Sequence, residues 1–133
     1  MQMYPEELAA TLELGHAYLE RSKLEPAQKI FTGVTAIAPQ NAYAWFGLGL
    51  IAQARGDLER AQQVLAHALS LDPSAHAARL ALAEVQARRG DKPAALATLR
   101  PALAKLTDPD SNSARRAHAL ALSLGATLPG SSS

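Results

Sequence analysis

The chain has 133 residues, of which 48% are hydrophobic and 19% charged, with no cysteine and a formal net charge of +1. That length fits one domain with a true core, and the lack of cysteine excludes disulfides and thiolate metal sites. Aromatics make up only 5%, so the apolar content is mostly Ala and Leu, which favours an all-α chain over an all-β one.

A near-neutral balance argues against nucleic acid as the main partner. No stretch reaches the roughly 18 uninterrupted apolar residues that a membrane span needs. Met1-Gln2-Met3-Tyr4-Pro5-Glu6-Glu7 lacks the basic start and apolar run of a secretory signal, so a cytoplasmic protein is expected. Glu6-Glu7 suits a first helical turn, where carboxylates meet the positive end of the helix dipole. Charge is uneven: residues 1–40 hold three basic and five acidic side chains, and residues 75–133 hold eight basic and four acidic.

From Leu14 onward the sequence repeats every 34 residues. Leu14, Leu48 and Leu82 share this step, as do Gly15, Gly49 and Ala83; Ala27, Ala61 and Ala95; and Phe31, Leu65 and Leu99. Pro39 and Pro73 close the first two units, and Asp108-Pro109 comes after the third. Such a period marks stacked supersecondary units. Each unit reads as two helices. In the second, Asn41 is placed to cap a helix bearing Trp45, Leu48, Gly49 and Ala52 on one face. Gly56-Asp57 ends that helix and starts another, in which Leu58, Ala61, Leu65, Ala68 and Leu69 mark the buried side. Short side chains at Gly49, Ala61 and Ala68 let the two helices approach.

At these positions the chain resembles the tetratricopeptide repeat, whose pattern runs Trp-x2-Leu-Gly-x2-Tyr, then Ala-x3-Phe, then Pro. Trp45, Leu48, Gly49, Ala61 and Pro73 match in the second unit; Leu14, Gly15, Tyr18, Ala27, Phe31 and Pro39 match in the first. The third, with Arg79, Leu82, Ala83, Gln86, Ala95 and Leu99, is the most divergent. The resemblance implies an α-solenoid of three helical hairpins, near residues 8–41, 42–75 and 76–109. A seventh helix is expected over 112–125, with Ala114, Ala117, Leu120, Ala121 and Leu124 on one face, and fits a terminal cap. Residues 1–126 would then form a single repeat domain and 127–133 a flexible tail. Leu122 and Leu128 are expected to stay partly exposed.

Chemistry-bearing patterns are lacking. His16, His67, His76 and His118 are not paired at helical spacing, so neither a metal site nor a cofactor is expected. Gly47-Leu48-Gly49-Leu50-Ile51-Ala52 matches a dinucleotide fingerprint only formally, because it lies inside a helical pattern with no strand before it. With no phosphate loop, nucleophile elbow or carboxylate pair, the chain reads as a non-enzyme.

In the tetratricopeptide family the first helix of each unit lines a concave groove. The resemblance implies groove positions at Ala9, Leu12, His16, Leu19 and Glu20; at Tyr43, Phe46, Leu50, Gln53 and Ala54; and at Ala77, Leu80, Glu84, Ala87 and Arg88. Several are apolar without the stack requiring it, which suggests a binding surface. Leu12, Tyr43, Phe46 and Leu80 would anchor an extended peptide, Gln53, Glu84 and Arg88 would set its register, and His16, Leu19 and Leu50 would line the same groove. Heat-shock chaperone adaptors of this family hold a carboxylate with Lys, Asn, Asn, Lys and Arg; Leu12, His16, Gly47, Ala77 and Ala81 stand there, so that role is argued against. Phe46-Gly47-Leu48-Gly49, Gln53, Gly56, Ala61, Ala68, Asp72, Ala83-Glu84 and Gly90-Asp91 resemble the class II chaperones of bacterial type III secretion. Those proteins hold translocator subunits in the groove; they also carry a long helical segment before the first repeat, which the sequence ahead of residue 8 is too short to match. The expected function is therefore a protein- or peptide-binding module. The alternative is a scaffold that forms homo-oligomers, or docks into a larger complex, through the same surface.

Overall fold

The computed structural model describes residues 3–125 and shows seven α-helices, with no strand among those residues. They are α1 (Pro5–Glu20), α2 (Leu24–Ile37), α3 (Ala42–Ala54), α4 (Leu58–Leu71), α5 (His76–Arg88), α6 (Lys92–Leu103) and α7 (Asn112–Ser123). Packing divides the described residues into two compact blocks, which part between Pro73 and Ser74. The expected tail, 127–133, and Leu128 lie outside the described residues.

The N-terminal block contains the hairpins α1–α2 and α3–α4, with α3 also packed on α1 and α2. Local chemistry sets the helix limits. Pro5 opens α1, where its missing N–H costs nothing. The Asn41 side chain accepts from the Ala44 N–H at 2.9 Å, and Asp57 accepts from the Arg60 N–H at 3.3 Å. Between α3 and α4 the chain turns at Gly56 with φ +78°, a conformation that only glycine adopts cheaply. Trp45 donates from Nε1 to the Pro39 carbonyl at 2.8 Å and meets the His67 ring edge-on at 4.8 Å, which ties α3 to α4.

Phe31 centres this block. It is fully buried between two glycines: a Cβ on Gly15 would lie 2.7 Å from its ring, and one on Gly47 would lie 2.6 Å away. Gly49 receives Leu65 in the same way, at 2.5 Å. The packing reason expected for Gly49 therefore holds. Gly47, for which the sequence offered no packing role, has the same reason.

The C-terminal block is the α5–α6 hairpin with α7 laid against both helices. Asp91 caps α6 and Ser111 caps α7, accepting from the Ala94 and Ala114 N–H groups at 3.1 and 3.2 Å. Leu80, Ala83, Leu99 and Leu103 form a core with Ala117 and Ala121 of α7, rimmed by Leu106 and Leu120. Small residues on α7 allow close contact with two helices at once. The helix stops at Ser123, since Leu124 is its C-cap and Gly125 turns left-handed at φ +83°. Leu122 stays 60% exposed on the outer side.

Candidate functional site

In the N-terminal block, α1 and α3 present a shallow apolar depression of about 310 Å³, lined by Ala9, Leu12, Glu13, His16 and Tyr43. Its floor is set by the core beneath it. Leu12 and Leu19 are half-buried against the Phe31 cluster, so their outer surfaces remain accessible. Tyr43 is 38% exposed and stands edge-on between Phe31 and Phe46, with ring centroids 6.2 and 6.0 Å away. Such edge contacts fix the ring without hiding it.

A polar chain holds the wall. Tyr43 Oη and His16 Nδ1 are 2.7 Å apart, and His16 Nε2 lies 2.8 Å from Glu20 Oε1. With Nε2 donating to the carboxylate, Nδ1 accepts the phenol proton. Burial, and then the nearby Glu20 charge, raises the Tyr43 phenol above its ordinary value of 10.0. The neutral, donating form is therefore the one that walls the depression.

The structure brings Leu12, His16, Leu19 and Tyr43 together on this face, and it leaves Phe46, Leu50 and Gln53 half-buried along α3. Ala9 and Glu13 line the depression as well. Ala9 was within reach of the family pattern, whereas Glu13 required the tertiary arrangement of α1 and α3.

The C-terminal block differs, and one expectation is corrected there. Leu80 is not a groove anchor: it is 1% exposed, because α7 covers α5 at that point. Glu84 is half-buried, and its carboxylate pairs with Arg116 of α7. Arg88, at the end of α5, is exposed. His118 is half-buried, with Nε2 2.9 Å from the Leu106 carbonyl oxygen. Among the described residues no group of histidine, aspartate and glutamate side chains could hold a metal ion, and no helix is long and apolar enough to cross a membrane.

Two tetratricopeptide-repeat family models match, over residues 52–121 and 12–61. The chain therefore belongs to the tetratricopeptide-repeat family. Among solved structures it is similar to PcrH from Pseudomonas aeruginosa, at 25% identity and a TM-score of 0.80, with 93% of this chain and 96% of that one covered. PcrH in complex with the chaperone binding region of PopD matches at 24% identity and a TM-score of 0.80, covering 92% and 94%. The type III secretion translocator chaperone SycD of Yersinia enterocolitica matches at 17% identity and a TM-score of 0.82, covering 93% and 87%. A search of curated protein sequences finds no match.

Proposed function

We propose that this protein is a non-enzymatic, cytoplasmic peptide-binding module, with residues 1–126 acting as one domain that holds an extended, partly apolar segment of a partner in the manner of a type III secretion translocator chaperone. The observation that carries this reading is the apolar depression of α1 and α3, with the Tyr43–His16–Glu20 chain along its wall. Its support by likeness is PcrH, solved with the chaperone binding region of PopD. Leu12, Leu19, Tyr43, Phe46 and Leu50 supply anchors, and His16 and Gln53 supply polar contacts. Each aliphatic side chain seated there contributes about 1.5–3 kcal/mol before ordering costs. In the C-terminal block Arg88 is exposed and Glu84 keeps part of its surface, whereas Leu80 is buried.

Selection of a displayed library of short extended peptides tests this. The wild type should enrich peptides with aliphatic or aromatic anchors. Ala9→Arg, which fills the depression from an exposed position and should leave helicity and melting unchanged, should enrich none of them. Enrichment of the same peptides by both proteins would overturn the reading. The exposed Leu14 and Leu122, 50% and 60% accessible, favour a second reading as a self-associating scaffold. Light scattering over a dilution series separates the two, since only the scaffold changes mass.

A further inference from the structure

We infer that the segment taken by the α1–α3 depression is basic as well as apolar: a branched aliphatic anchor with lysine or arginine within about three residues of it. This deepens the peptide-binding reading and rests on it. The argument begins with α1. Over Pro5–Glu20 it carries four carboxylates and no lysine or arginine. Three of them, Glu6, Glu13 and Glu20, are spaced by seven residues. Seven residues are nearly two helical turns, so the three line one face, about 10 Å apart. Ala9 and His16, which line the depression, fall on that same stripe.

Helix stability does not account for this row. Glu6 favours the helix dipole at the N-terminal end, but Glu20 occupies the last turn, where a carboxylate opposes it. Among the described residues, only His16 answers Glu20, at 2.8 Å. Among the described residues, neither Glu6 nor Glu13 has a basic side chain within ion-pair distance. All three are exposed. Glu13 itself borders the depression, so a peptide side chain seated beside Tyr43 places its neighbours against uncompensated negative charge. An extended peptide advances about 3.3 Å per residue, so the 10 Å between carboxylates corresponds to about three residues. Basic groups at that distance from the anchor gain attraction and faster encounter; acidic ones are repelled.

The test uses synthetic, fluorescently labelled peptides with a central leucine, differing only in lysine or glutamate on its flanks. Anisotropy with the whole protein should show the lysine peptide binding about five-fold or more tightly at low salt, with the gap narrowing at high salt. Glu6→Gln with Glu13→Gln should close that gap while leaving helicity unchanged. Should both peptides bind equally and both be lost in Ala9→Arg, the charge inference fails and the peptide-binding reading stands. Should neither bind, both fail. Should mass rise with concentration and Ala9→Arg return it to that of one chain, the occupant is a second copy and the inference is overturned.

Discussion

In the N-terminal block, Leu12 on α1 and Phe46 on α3 keep part of their surface open beside an exposed Tyr43. In the C-terminal block, Leu80 occupies the corresponding repeat position on α5 and is sealed under Ala117 and Ala121 of α7. The three positions are 34 residues apart, and the hairpins around them share one plan. The neighbour is where they differ. The pattern of a repeat dictates how its own two helices meet, while exposure of the first helix depends on which other element packs over it. A face left open in one block is core in the other.

The same position should therefore answer differently to the same change. Leu80→Ala leaves a cavity among buried side chains and should cost about 2–5 kcal/mol in denaturant unfolding. Leu12→Ala removes a half-exposed side chain and should cost well under half of that, while weakening peptide binding. Equal losses of stability at the two sites would mean that α1 and α5 are covered alike.

Glycines offer a second contrast, within the N-terminal block. Gly47→Ala drives a methyl into Phe31, whose ring Gly15 already confines from its own side. Overpacking costs about 1–3 kcal/mol, and the better helix propensity of alanine returns about 1 at most. A net loss of about 1–2 kcal/mol is expected, relieved when Phe31→Leu is added. Gly33, inside α2, has open space where a Cβ would stand, with no neighbour within 4 Å; Gly33→Ala should instead stabilise by about 0.5–1 kcal/mol. The C-terminal block solves the same packing with a smaller side chain, Leu99, set among Ala83, Ala117 and Ala121.

These cases show how far the sequence was legible. The period located all six repeat helices and the seventh, because apolar spacing and the caps Asn41 and Asp57 are local facts. It pointed to Leu12 and Tyr43, apolar where the family pattern does not demand it, and the structure places them beside one depression of α1 and α3. It did not reveal that α7 would take Leu80 and Glu84, since covering an apolar face is a tertiary event that no spacing within α5 encodes. Nor did it separate Leu14, 50% exposed, from Leu48, which packs on the Phe31 cluster. Both fill one consensus slot, but Leu48 packs on the cluster around Phe31 and Leu14 does not. The worth of Gly47 was likewise invisible until Phe31 was placed against it.

The inter-helix turns supply a third contrast. Ser22, Gly56 and Gly90 hold one repeat position and all have positive φ, at 57°, 78° and 86°. Glycine makes this conformation inexpensive, and serine does not. Ser22→Gly should raise stability by about 0.5–1 kcal/mol, with no effect on peptide binding. A loss on substitution would show that the α1–α2 turn is held by something other than its backbone.

The smallest expected effect concerns Tyr43, whose phenol is raised by burial first and by Glu20 second. A raised value means that folding favours the neutral phenol. That contribution is fully present below about pH 10, the ordinary range, and is lost as pH rises through the folded value. Absorbance titration of the phenolate band reports Tyr4, Tyr18 and Tyr43 together. The last component to ionise should vanish in Tyr43→Phe, and Glu20→Gln should bring it somewhat lower. If Tyr43→Phe instead removes a component titrating in the ordinary range, the side chain is more open than its place between Phe31, Phe46 and His16 implies. A bound aliphatic anchor should deepen its burial and delay ionisation further, so the same titration with and without peptide reports directly on occupancy of the depression.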